Sequence, residues 1–201
     1  MRALVVYSHP SKTSFNAAIL GVIRERLEAA KAETRIIDLY EQGFDPILSL
    51  KAWSCYERPA DYIPPLQDHV DALSWCDTLI FVYPTWWYGQ PAMLKGWLDR
   101  VLAPDVAFEL REQGDIRPAL THINRLGVFT TCGASPWLTW FIGAPGKRTL
   151  LRGVRLLCAK RCKTAFAAHY NMDSSTAESR EAHLKKVAKT LNRLVGGVAT
   201  S

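Results

Sequence analysis

The 201 residues are predicted to form one doubly wound α/β domain, residues 1–201, around a five-stranded parallel sheet of order 2-1-3-4-5. Three observations predict it. Five short runs are apolar almost throughout instead of alternating, amphipathic helical patterns lie between them, and a 48% apolar composition can bury a core without disulfides or metal. Strands alternating with helices imply right-handed βαβ crossovers. Five such units fit the order 2-1-3-4-5 better than a six-stranded dinucleotide-binding order, and ligands then sit beyond the carboxyl ends of the strands near the switch point.

The strands are predicted at residues 3–7, 34–39, 78–83, 126–131 and 163–168. The first helix places Phe15, Ala18, Ile19, Val22, Ile23 and Leu27 on one stripe, against a polar face of Arg24, Glu25 and Glu28. The last helix repeats this with Leu184, Val187, Ala188, Leu191 and Leu194, and weaker helical patterns fall at residues 65–76 and 91–102. Residues 42–65, rich in proline and aromatics, read as a surface excursion within the domain.

No stretch approaches the roughly 20 apolar residues that span a bilayer, and the chain runs from Met1 straight into a strand pattern, so a cytoplasmic protein is expected. Five cysteines without a Cys-x-x-Cys pair suggest reduced thiols, with neither a disulfide framework nor a zinc site. The net charge of +6 bears on association and not on fold. Seven basic residues and no acidic one fall in residues 147–163, either a solvated helix face or a phosphate-binding surface. No nucleic-acid motif accompanies them, so no nucleic-acid partner is expected.

Three loops should meet at one edge of the sheet. The first, residues 8–16, offers a helix N-terminus and the hydroxyls of Ser11, Thr13 and Ser14 to phosphate oxygens, and His9 is either a further donor to a phosphate or ribose oxygen or a satisfied loop histidine. It contains neither Gly-x-Gly-x-x-Gly nor a nucleotide-hydrolase loop. Thr13 or Ser14 acting only as an N-cap remains the alternative. The second loop, Tyr83-Pro84-Thr85-Trp86-Trp87-Tyr88-Gly89-Gln90-Pro91, carries three consecutive aromatics that a turn cannot bury together. A planar ring system is their natural partner, and a hydrophobic dimer contact or satellite core the alternative. The third, Thr130-Thr131-Cys132-Gly133-Ala134-Ser135, has small residues that let backbone N–H groups approach negative charge, or it is an ordinary strand-to-helix turn. No base stands near Cys132 in sequence, which argues against a nucleophile.

The combination of these loops with Pro91-Ala92-x-Leu94-Lys95-Gly96-Trp97, and with Tyr170-x-Met172-Asp173 and Arg180, resembles the NAD(P)H:quinone oxidoreductase family over most of the chain. The resemblance implies a flavodoxin-like fold and a two-electron flavoenzyme, a homodimer with its active sites at the subunit interface. FAD would be the cofactor, with FMN as the alternative, NADPH or NADH the donor, and a quinone-like molecule the acceptor. It assigns His9, Thr13, Ser14, Phe15 and Asn16 to the phosphate and ribitol part. Pro84, Thr85, Trp86, Trp87 and Tyr88 would frame the isoalloxazine, and Thr130, Thr131 and Gly133 would meet its pyrimidine side. Arg180 would lie near the adenosine. Trp87, Tyr88, Thr131 and Gly133 are the candidate catalytic set. The family's Tyr and His downstream of a Thr-Thr-Gly-Gly turn have no counterpart in residues 134–146, where Trp137 and Trp140 stand instead.

Ping-pong hydride transfer is the expected reaction, with donor and acceptor using the same space in turn. The rivals are an ancillary regulatory subunit docking on a membrane transporter through residues 147–163, an FMN-dependent azo or nitro reductase, and a one-electron carrier. The basic charge fits the carrier poorly.

Overall fold

In the computed structural model residues 1–110 and 116–196 are described. Of the expected domain over 1–201, residues 111–115 and 197–201 lie outside the described residues. The chain runs β1 (Arg2–Tyr7), α1 (Phe15–Ala29), β2 (Glu33–Asp38), the short helices α2 (Leu50–Ser54) and α3 (Pro59–Tyr62), a 3-10 turn, α4 (Gln67–Trp75), β3 (Thr78–Thr85) and α5 (Ala92–Val101). It continues through β4 (Phe108–Leu110), β5 (Ile116–Pro118), β6 (Arg125–Cys132), α6 (Pro136–Phe141), α7 (Pro145–Arg148), a π-helical turn (Thr149–Val154), α8 (Arg155–Leu157), β7 (Lys163–His169), a second 3-10 turn and α9 (Ala177–Val195).

The sheet is parallel throughout, in the order β2-β1-β3-β6-β7. These are the five predicted strands in the predicted order, each end within two residues. Alternate residues of β1 feed two cores: Leu4 and Val6 pack with Phe81 and Trp97 on one face, and Ala3, Val5 and Tyr7 with Ile19, Ile80 and Leu191 on the other. Burial on both faces is why the strands read as apolar runs. β2, at the edge, mixes exposed and buried positions.

Three expectations need correction. Ala18 is exposed, because α1 buries Asn16, Ile19, Ile23 and Leu27 and turns the Ala18 side outward. Residues 42–65 form α2, α3 and part of a 3-10 turn, and Phe44 and Tyr62 are buried, the Tyr62 hydroxyl donating to the Arg100 carbonyl at 3.0 Å. The antiparallel pair β4–β5 is an addition that the sequence reading lacks.

That excursion lies so close to α5 that a Cβ at Gly96 would overlap the backbone and side chain of Pro46. Gly96→Ala should lower stability by about 2–3 kcal/mol, a fall in Tm of about 5–10 °C. Gly21→Ala, in α1 with nothing near the added methyl, should raise it by about 0.5–1 kcal/mol. Thermal melts of the two variants check both signs. All five cysteines are free. Among the described residues no helix is long and apolar enough to cross a membrane, and no cluster of metal-ligating side chains occurs.

Candidate active site

β1 neighbours both β2 and β3, so the winding of the sheet reverses there and the carboxyl ends of β1, β3 and β6 border one crevice. A cleft of about 850 Å³ opens at that crevice. The first loop lines it with His9, Phe15 and Asn16; the second with Pro84, Thr85, Trp86, Trp87 and Tyr88; the third with Thr131 and Gly133. Cys132, Ala134, Leu138, Met172 and Asp173 complete the wall.

In the first loop Ser14 is the N-cap of α1, its Oγ accepting from the Ala17 N–H at 3.2 Å. Thr13 is exposed, its hydroxyl 3.1 Å from that of Ser11. Neither lines the cleft, although the open first turn of α1 leaves backbone N–H groups beside it. His9 Nδ1 accepts from the Ser11 N–H at 3.0 Å. The same Nδ1 lies 3.1 Å from the Ser11 carbonyl oxygen, and burial lowers the pKa of this ring against a smaller upward pull from the Ser11 backbone. Asn16 is buried, and its Nδ2 donates to Thr131 Oγ1 at 2.9 Å, tying the first loop to the third. Its Oδ1 is buried without a partner among the described residues.

The second loop is a two-residue turn closed by Trp86 N–H to Gly89 O at 3.2 Å and Gly89 N–H to Trp86 O at 3.0 Å. Its central residues have positive φ, 50° at Trp87 and 62° at Tyr88, the type I′ geometry that usually takes Asn-Gly. Two bulky residues there cost about 1–2 kcal/mol each. The short helix α7 holds the turn in place: the Gly146 N–H donates to Tyr88 O at 2.9 Å, and Gln90 Nε2 donates to Gly146 O at 2.8 Å. A Cβ at Gly146 would lie 3.0 Å from the Tyr88 carbonyl oxygen, so the close approach requires glycine. Trp87 is 95% exposed, so its strain is not offset by burial within the chain. Replacing Trp87→Asn and Tyr88→Gly together should raise stability by about 1 kcal/mol and abolish the aromatic wall, a split that denaturant melts and flavin titration read separately.

In the third loop the strand period decides which hydroxyl faces which way. Thr131 joins Asn16 at the cleft, whereas Thr130, one residue earlier, bonds Thr85 Oγ1 at 2.8 Å and does not line it. Gly133 leaves room for a carboxylate, since a Cβ there would stand 2.8 Å from Asp173 Oδ2. Arg180 does not line the cleft; its Nη1 donates to the Ser175 hydroxyl at 3.1 Å. Leu138, Met172 and Asp173 are wall residues that the sequence reading did not place in the site, although Met172 and Asp173 lie just past β7, whose carboxyl end shares this rim. Phe15 also contacts two buried histidines, His169 at 5.3 Å and His183 at 6.0 Å between ring centroids.

The sequence profile of the flavodoxin-like fold family matches residues 1–193. The chain is similar to "Uncharacterized NAD(P)H oxidoreductase YcaK" of Escherichia coli K12, 34% identical over 53% of this chain and 55% of that protein. It is similar to "NAD(P)H dehydrogenase [quinone] 1" of Cavia porcellus, 33% identical over 58% of this chain and 48% of that protein. The chain therefore spans about half the length of these curated relatives. The solved "NAD(P)H:quinone oxidoreductase from Methanothermobacter marburgensis" superposes with a TM-score of 0.81 and 25% identity, covering 94% of this chain and 96% of that one. On the profile match over residues 1–193, the chain belongs to the flavodoxin-like fold family.

Proposed function

We propose that the protein is a cytoplasmic, homodimeric, flavin-dependent NAD(P)H oxidoreductase whose acceptors are quinones or similarly flat molecules, with FAD, or alternatively FMN, held in the cleft. The observation that carries this reading is the convergence of three separate loops on one cleft with an aromatic wall and an unpartnered buried acceptor, Asn16 Oδ1. A buried carbonyl without a donor is costly, and a ring with an N–H edge or a hydroxylated chain would supply one. The cleft volume lies in the range of small-molecule sites.

When bound, the flavin would accept a hydride from the nicotinamide and later release it to the acceptor, the hard chemistry being the cofactor's. The protein supplies position and field. Trp86, Trp87 and Tyr88 wall the space where donor and acceptor lie in turn, excluding water from the stacked rings. The bonded pair that closes their turn leaves the Trp87 and Tyr88 N–H groups outside its own bonds, free to meet a polar ring edge. Gly133 brings backbone close on the opposite side, suited to developing negative charge. His9 stands at the mouth of the first loop, where phosphate oxygens would sit, next to the N-terminus of α1.

Purified protein reconstituted with each flavin and assayed with NADH and NADPH against quinone, azo and nitroaromatic acceptors tests the reading. Acceptor-dependent nicotinamide oxidation is expected, and its absence with both flavins would overturn the proposal. Exposed Ile47, Leu50 and Trp53 offer an apolar face for a second copy of the chain. Trp53→Glu should shift the sedimentation of the protein from dimer to monomer.

A further inference from the structure

The basic run noted in the sequence has a specific shape. A second cavity, of about 270 Å³, has Trp140, Leu151, Lys147, Arg148 and Arg152 among its lining side chains, three cations and no carboxylate. Among the described residues none of the three is in an ion pair. Like charges gathered in one concavity repel, so the free protein carries an unfavourable term that an anion would remove. The loop accommodates one of them closely: Gly143 has φ +90°, and a Cβ there would press on Arg148 Nη1 at 3.2 Å. Lys147 is seated with its Nζ 4.6 Å from the centroid of the Phe166 ring.

This cavity is built on the elements that form the cleft. Gly146, next to Lys147 in the chain, is hydrogen-bonded to the aromatic turn. α6 contributes Leu138 to the cleft and Trp140 to the cavity. Each helical residue turns by about 100°, which puts Leu138 and Trp140 on nearly opposite sides of α6, with Trp137 and Phe141 on the sector between them. Those two side chains are exposed and stacked, ring centroids 5.5 Å apart and 13° from parallel. α6 is six residues, about 9 Å long, a distance that a dinucleotide can span. Cleft, exposed aromatic platform and cationic cavity thus follow one another around a single short helix.

We propose that the cavity of Lys147, Arg148 and Arg152 binds the 2′-phosphate of NADPH while the nicotinamide lies in the cleft and the adenine lies on Trp137 and Phe141, which makes the protein selective for NADPH over NADH. The assignment rests on the oxidoreductase reading above. A phosphate monoester dianion is the ligand chemistry; arginine binds it through paired N–H groups and the lysine as a point charge.

Two measurements test it. In the flavin-loaded protein, Arg148→Ala or Arg152→Ala should each lower the ratio of kcat/KM for NADPH to that for NADH by about tenfold. Arg161→Ala, in the same basic run but outside the cavity, should leave the ratio unchanged. An unchanged ratio in both cavity variants overturns the proposal. Calorimetric titration, which needs no turnover, reads the site by itself: adenosine 2′,5′-bisphosphate should bind more tightly than adenosine 5′-monophosphate, and Arg148→Ala should erase the difference. Equal binding of the two nucleotides, binding of inorganic phosphate as tight as that of the bisphosphate, or co-sedimentation with phosphatidylglycerol vesicles that these variants abolish while the NADPH preference persists would each overturn it. If no acceptor is reduced but the bisphosphate preference is found, the oxidoreductase reading fails and the phosphate site stands.

Discussion

Asn16→Leu should weaken flavin binding about 30-fold, the equivalent of about 2 kcal/mol, while changing the stability of the flavin-free protein by much less. The asymmetry follows from the two ends of one buried amide. Nδ2 holds Thr131 Oγ1 at 2.9 Å and so ties the helix after β1 to the end of β6. Oδ1 has no partner among the described residues, which is a standing cost to the empty fold. A leucine, with the same branching at Cγ, removes the tie and the cost together, so the losses in the empty protein largely cancel. In the loaded protein nothing offsets the missing acceptor. Equilibrium titration with FAD and FMN, paired with denaturant melts, separates the two effects; equal losses in affinity and stability would mean that Asn16 is a packing residue.

The second large effect is a loss of stability in mild acid that originates at His183. This ring is buried on α9, 5.1 Å from His169 on β7, and its pKa is lowered to about 4 by burial first, then by His169 and Lys186. His169 is lowered too, by burial and then by Arg180 and Lys186, against upward pulls from the backbone at Ser179 and Tyr170. Phe15 of α1 packs against both rings, and neither His169 Nδ1 nor His183 Nε2 has a hydrogen-bond partner among the described residues. A histidine whose pKa is lower in the folded chain than the unfolded value near 6.5 stabilises the protein above that value, and the contribution is lost as pH falls from about 6.5 to about 4. For His183 the loss is about 3 kcal/mol. His183→Leu should flatten the stability profile across this window, and curves that stay parallel to those of the unsubstituted protein would refute the assignment. Because Phe15 also lines the cleft, retention of the proposed cofactor should fall over the same range.

The framework was legible wherever burial leaves a period or a run. Continuous apolar strands announced a sheet covered on both faces, and the stripe of α9 announced its packing side. Where the local pattern was too short, it carried no signal: β4 and β5 are three residues each, and their Leu110 and Ile116 are exposed. The same limit applied inside the site. Three aromatics in a turn pointed to a ligand, but nothing in Trp-Trp-Tyr signals two positive φ angles, which here depend on bonds to Gly146 far along the chain. Thr130 and Thr131 are neighbours of the same type, and only the two-residue period of β6 separates a cleft hydroxyl from one turned toward Thr85. Asn16 showed the reverse case, a polar residue at a buried helix position that hydrophobic periodicity passes over in favour of Ala18.

A crystal structure of the protein loaded with FAD or FMN tests the central claim most directly. The account predicts the flavin ring between the Trp86–Gly89 turn and Gly133, with a donor of the cofactor within about 3.2 Å of Asn16 Oδ1. A flavin bound elsewhere, or a loaded cleft in which Asn16 Oδ1 stays without a donor, would contradict it.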